Sequence, residues 1–227
     1  MKSVIIGAGE IGTALMGVLE DYHPVLHDPA IGLIARGEFD IMHVCFPFSP
    51  AFVQVVGDYQ KQFQPKYTVI HSTVPPGTSR ELQAIHSPVI GLHPHLEESL
   101  TTFVKYLAGE QASEVADYFR RAGMRVYLFD KPETTELLKI LDTTFYGLCI
   151  EFTKDVKRLA VEHGIPFEAW TLYTDNYNKG YQVLGYPEYT RPNLTPIMTR
   201  IGGHCVLPNT TLLKTRFTEF LRYIQGT

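Results

Sequence analysis

Apolar positions follow two rhythms along this chain: short runs up to about residue 130, then a spacing of three and four residues beyond it. The runs at 3–6, 24–27, 41–46, 67–71, 89–92 and 125–129 read as strands. Helix-compatible stretches, among them 50–63 and 113–122, lie between most of them. Strands alternating with helices predict a parallel sheet covered on both faces, whose ligands bind beyond the carboxyl ends of its strands. Past Phe129, Asp130-Lys131-Pro132-Glu133 reads as a helix start. Leu138, Leu141, Phe145, Leu148, Phe152, Val156 and Leu159 then keep helical spacing as far as Gly164, a residue suited to the left-handed position past a helix end. Such a helix is about 45 Å long, more than a small domain requires, and a dimer contact is one use for the excess. A second helix is expected from Pro166 through Trp170 and Tyr173 to Gly180, then an irregular stretch over 181–200. Asn209 is expected to cap a final amphipathic helix carrying Leu213, Phe217, Leu221 and Ile224. The expected division is an α/β domain over 1–130 and a helical domain over 131–227.

The turn out of the first strand is Gly7-Ala8-Gly9-Glu10-Ile11-Gly12. In a GxGxxG turn the first glycine permits the tight bend, the second lets the backbone approach a pyrophosphate, and the third lets helix and strand pack closely. Asp28 stands sixteen positions beyond Gly12, at the end of an apolar run. A carboxylate there binds both ribose hydroxyls and repels a 2′-phosphate, which argues for NAD over NADP, and nothing downstream favours FAD. The rival is a strand-turn-helix whose glycines serve packing alone. The expected fold is therefore a Rossmann doubly wound parallel sheet followed by a smaller all-α domain with one long helix. Gly7, Gly9, Glu10, Ile11, Gly12 and Asp28 are expected to hold the cofactor, with Pro47, Ser72 and Thr73 from loops that follow later strands.

At 227 residues and 44% hydrophobic content, the chain can bury one substantial core and a smaller second one. Its net charge of −4 and dispersed lysines and arginines supply no basic stripe for a phosphate backbone, which argues against nucleic acid. No apolar stretch approaches the roughly 20 residues of a membrane span, and the first residues enter a strand without a hydrophobic leader. Three scattered cysteines form no disulfide framework. These features predict a cytoplasmic protein. Cys45 and Cys149 fall on apolar faces and read as core residues.

Four segments could carry chemistry. The loop 71–78, His-Ser-Thr-Val-Pro-Pro-Gly-Thr, follows a strand, and its paired prolines would hold Thr73 stiffly near a nicotinamide; a Pro-Gly turn capped by Thr78 fits the same residues. Gly202-Gly203-His204-Cys205 is a glycine-flanked thiol with Arg200 nearby. A thiol can attack an aldehyde to give a thiohemiacetal, which loses hydride to NAD and leaves a thioester for water to open; a buried small Cys in a tight turn is the alternative. Glu136, Lys139 and Thr143 share a helix face, where the lysine could stabilise an oxyanion, or where all could be solvated. His93 and His95 follow a strand, but with His204 and Cys205 they match no closed zinc motif, so no metal is expected.

Taken in order, GAGEIG at 7–12, STVPPGT at 72–78, ELLKILDTTF at 136–145 and GGHC at 202–205 resemble the signatures of the UDP-glucose/GDP-mannose dehydrogenase family. The resemblance implies oxidation of the C6 alcohol of a sugar nucleotide to a carboxylate with two NAD, and the long helix makes a homodimer the expectation. It makes Cys205 the nucleophile, Lys139 the polarising lysine, Thr73 a positioning hydroxyl and Glu98 the counterpart of a loop glutamate. Thr143 stands where the family has an asparagine, and Asn209 where it has an aspartate. Family members carry a further Rossmann-like domain after the cysteine, whereas 22 residues follow Cys205 here. A shortened member, acting on a sugar nucleotide or a smaller alcohol, is the expectation. Val89-Ile90-Gly91-Leu92-His93-Pro94 also resembles the GLHP segment of prephenate dehydrogenases, which implies a two-electron oxidation with His93 or Lys139 as general base. A non-catalytic NAD-binding accessory protein is the third reading.

Overall fold

Seven strands, β1 (Ser3–Ile6), β2 (Val25–His27), β3 (Ile41–Val44), β4 (Tyr67–Ile70), β5 (Ile85–His86), β6 (Val104–Ala108) and β7 (Arg125–Phe129), form one sheet in a computed structural model that describes residues 1–201, 206–213 and 222. Their order is β2-β1-β3-β4-β5-β6-β7, parallel throughout except that β6 runs antiparallel to β5. The chain divides into two units, Met1–Lys139 and Ile140–Thr227.

The first unit holds the sheet, with α1 (Glu10–Val18), α2 (Phe52–Phe63), α3 (Thr78–Glu81), α4 (Leu96–Thr102) and α5 (Ala112–Arg121). Alternation along the strands feeds two cores. Ile5, Ile41, Cys45, Val69, Ile85 and Leu107 pack with Leu15, Val115 and Phe119 on one side; Val4, Ile6, Met42, Val44 and Ile70 pack with Phe52, Val56 and Phe63 on the other. This is the doubly wound α/β architecture, and residues of β3 and β4 buried on both faces give the continuous apolar runs seen in the sequence.

Two departures concern the middle of the sheet. The expected strand over 89–92 is irregular, and β5 ends three residues earlier. The Ser87 amide still donates to the Ile70 carbonyl, but Pro88 has no N–H to continue the ladder. The reversed strand β6 escaped the pattern because Lys105 interrupts its apolar positions, although this lysine is 3% exposed.

α6 (Pro132–Glu162) opens in the first unit and runs through 31 residues into the second, closing at a left-handed Gly164. In the second unit, α7 (Phe167–Val183) runs three residues past Gly180. Phe152 and Trp170 meet edge to face at 6.0 Å, and Lys157 lies 5.4 Å from the Phe167 ring centre. Ile201 and Val206 bury against Leu148, Ile150 and Leu207. Asn209 is buried inside α8 (Val206–Thr211) and does not cap a helix; its Nδ2 donates to Thr143 Oγ1 at 3.5 Å. Of the expected final helix, α8 stops before Leu213, and Phe217, Leu221 and Ile224 lie outside the described residues. Among the described residues no helix is long and apolar enough to cross a membrane.

Candidate functional site

The three glycines of the first turn meet three different surroundings. Gly7 has φ +97°, and a Cβ there would stand 3.2 Å from the Cys45 and Phe46 backbone. At Gly12 a Cβ would fall 1.9 Å from the Gly7 carbonyl oxygen, so only glycine lets α1 lie this close to the end of β1. At Gly9, which caps α1, a Cβ would find nothing within 4 Å. The open space lies before the first-turn amides of α1, which have no acceptor inside the helix and carry its positive dipole end. Such amides are the kind of group that can hold a pyrophosphate. Ile11 is half-buried against the core beneath.

Asp28 is half-buried at the end of β2. Its Oδ2 accepts from the Ala8 amide at 3.0 Å and its Oδ1 from the Ala30 amide at 3.2 Å, which couples the glycine turn to the strand end. A carboxylate has about four acceptor positions, so ribose hydroxyls can share it. Glu10 meets His93, Oε2 to Nδ1 at 2.9 Å, and so joins the glycine turn to the segment after β5.

Ser72 is buried, and its hydroxyl donates to the Phe46 carbonyl at 2.5 Å. It thereby ties the loop after β4 to the loop after β3, where Pro47 is exposed; Thr73 beside it is half-buried. The far end of the same loop is held by Glu136. This buried carboxylate, on the face left open between an oxyanion-stabilising and a solvated reading, accepts from the Gly77 amide at 2.7 Å and the Ser79 amide at 2.8 Å, and burial raises its pKa. The sequence offered no signal for this role, because its partners lie more than fifty residues away.

The structure does not bring Glu98 to the glycine turn. It is exposed on α4, with Oε2 3.9 Å from His95 Nδ1, and lines a shallow surface hollow with Val18 and Ala122, at the opposite end of α1 from Gly9. Lys139 is half-buried at the end of the first unit; Thr143 is buried in the second, where it meets Asn209. Gly202, Gly203, His204 and Cys205 lie outside the described residues. The described residues contain no cluster of three or more metal-ligating side chains. Cys45 is buried, which pushes its thiol up to about 12 and leaves it unreactive.

A buried polar strip crosses the sheet beneath this rim, and sequence reading missed it. Lys105 Nζ lies 2.9 Å from the Ser87 carbonyl, 3.5 Å from that of Pro88 and 3.0 Å from His71 Nδ1. His71 Nε2 meets His43 Nδ1 at 3.0 Å, His43 Nε2 meets Tyr118 Oη at 3.4 Å, and Tyr118 donates to Ser3 Oγ at 3.1 Å. Nearby, His86 bridges Thr135 Oγ1 and the Ser72 carbonyl. Burial pushes His43 and His86 down to about 3 and lowers His71 well below its usual value. The one available signal was register: His43 shares a face with Ile41 and Cys45, and Lys105 with Leu107.

No protein-family model and no curated protein matches the chain. Solved structures do. A UDP-D-ManNAc dehydrogenase from Pyrococcus horikoshii superposes with a TM-score of 0.76 at 15% identity, over 99% of this chain and 68% of that one. A UDP-glucose dehydrogenase from Pyrobaculum islandicum gives 0.68 at 17% identity, over 100% and 67%. The 3-hydroxyisobutyrate dehydrogenase of Mycobacterium tuberculosis gives 0.59 at 13% identity, over 79% and 70%. At such identities the likeness is one of fold, and the fold is the Rossmann sheet and helical region that these dehydrogenases share.

Proposed function

We propose that the protein is an NAD-dependent dehydrogenase that oxidises the alcohol of a sugar nucleotide or a smaller sugar-type substrate. The observation that carries this is the contrast within the glycine turn: Gly7 is required by its φ of +97° and Gly12 by contact, whereas at Gly9 a Cβ would meet nothing within 4 Å. Packing alone explains the outer two and leaves the middle one without a reason. Gly9 and the first turn of α1 would hold the pyrophosphate, and Asp28 the adenosine ribose. Bound NAD supplies a two-electron hydride acceptor. Thr73, held by the Ser72 anchor and the proline-stiffened loop, would orient substrate. Lys139 would stabilise negative charge on the substrate oxygen, and Cys205 would attack the aldehyde carbon to form the thiohemiacetal that becomes a thioester. The likeness to UDP-sugar dehydrogenases supports this chemistry, and the length of α6 supports a homodimer.

The test is stoichiometry. With NAD and a panel of sugar nucleotides, two NADH should form per acid produced, and Cys205→Ser should stop at the aldehyde level. A two-electron oxidation is the second reading, favoured by the likeness to hydroxyisobutyrate dehydrogenase; it gives one NADH per turnover and keeps Cys205→Ser active. Binding of NAD without any turnover rules out both and leaves an accessory protein. Asp28→Ala should weaken NAD binding about tenfold, the scale of one charge-assisted hydrogen bond, and relax selection against NADP. An unchanged cofactor preference refutes the ribose role.

A further inference from the structure

Lys105 is a buried cation to which, among the described residues, no carboxylate is hydrogen-bonded. Its three ammonium protons have three acceptors instead: the Ser87 carbonyl, the Pro88 carbonyl and His71 Nδ1. Those carbonyls belong to the point where β5 ends and the chain leaves toward His93, whose ring meets Glu10 in the glycine turn.

The donor count fixes the rest of the strip. A charged Lys105 donates to His71 Nδ1, so the His71 proton sits on Nε2 and is donated to His43 Nδ1. The His43 proton then sits on Nε2 and is donated to Tyr118, which donates to Ser3. A neutral Lys105 has two protons left; given to the Ser87 and Pro88 carbonyls, they leave His71 Nδ1 to carry its own proton toward the Ser87 carbonyl at 3.0 Å. His71 Nε2 then accepts from His43 Nδ1, and His43 Nε2 accepts from Tyr118. Both histidines change tautomer and neither becomes charged.

We infer that Lys105 is a positioning residue: its ammonium clamps the start of the segment 87–95 beneath the dinucleotide site, and its charge sets the proton order of the strip Lys105–His71–His43–Tyr118–Ser3. The link to cofactor binding rests on the function proposed above. The groups that face Lys105 are His71 just after β4, His43 on β3 and Cys45 just after it, His86 on β5, and the Phe119 ring on α5, whose centre is 6.0 Å from Nζ. The charges of α4 and β7 are engaged elsewhere: Glu97 lies against Gly17, Glu98 beside His95, and Arg125 donates to the Thr102 carbonyl. Burial pushes Lys105 down to about 7, so the charged form prevails at pH 6 and the neutral form at pH 8.5.

Side-chain nitrogen NMR of the full chain, without cofactor, reads the proton order. At pH 6 the protons of His43 and His71 should sit on Nε2, and at pH 8.5 on Nδ1; Lys105→Met should give Nδ1 at both. Wild-type spectra with one tautomer at both pH values overturn the inference, whether or not the variant folds. Amide hydrogen exchange over 89–93 should run about tenfold faster in Lys105→Met than in wild type at pH 6, and the ratio should approach one at pH 8.5. Equal rates at pH 6 exclude the clamp. The Kd for NAD at pH 6 should rise about tenfold in Lys105→Met. An unchanged Kd removes the positioning role, whereas a wild type that binds no NAD refutes the proposed function and leaves Lys105 to be judged by tautomers and exchange.

Discussion

Gly9 and Gly12 are chemically identical and three residues apart, yet a methyl group should affect them in opposite ways. Gly12→Ala drives a Cβ against the Gly7 carbonyl and should cost about 3 kcal/mol of stability, read by urea unfolding. Gly9→Ala meets nothing and should change stability by less than about 1 kcal/mol, while it weakens NAD binding at least tenfold. The buried histidines make a second prediction. His43 and His86 are pushed down to about 3, so both are neutral in the folded protein and charge more readily once unfolded. The stability this contributes is complete above pH 6.5 and is lost as pH falls toward 3. At pH 5 each histidine should cost about 2 kcal/mol relative to pH 7, measured by unfolding at the two pH values, and His86→Gln should remove one such share.

Among the elements, Glu136 is the clearest case of a helix serving a distant loop. Its carboxylate satisfies the Gly77 and Ser79 amides. Glu136→Ala should therefore destabilise the first unit by about 3 kcal/mol and raise hydrogen exchange in residues 72–79, because a buried donor at Ser79 and a half-buried one at Gly77 lose their acceptor. The same helix shows what was legible beforehand. Its spacing from Leu138 to Leu159 and its stop at Gly164 are local properties, and they read correctly. So did β1, the glycine turn, and the alternation of strands and helices. β6 and the true β5 did not, since a buried lysine and a proline hide their patterns, and only pairing across the sheet reveals them. Glu136, His43, His71 and Lys105 were illegible for a related reason: their meaning lies in partners brought close by folding, and a polar residue in any element looks like a solvated one until those partners are known.

For the whole molecule, the second unit exposes a large apolar area along its helices. Phe145, Phe152 and Leu159 on α6 are 59%, 57% and 53% exposed, and Leu172 and Tyr173 on α7 are 65% and 68% exposed. Patches of this kind mark association surfaces, in keeping with the proposed homodimer. Sedimentation should give twice the chain mass of 25.7 kDa, and Phe145→Lys should shift the protein toward the monomer without lowering the stability of the first unit.

The reversal at β6 has a consequence for anyone redesigning this scaffold. Because that strand travels against its neighbour, its opening residue pair arrives at the rim where β1, β3, β4 and β5 finish. A side chain placed there works on the ligand-facing edge from underneath, and tuning it leaves every residue of the loops above untouched.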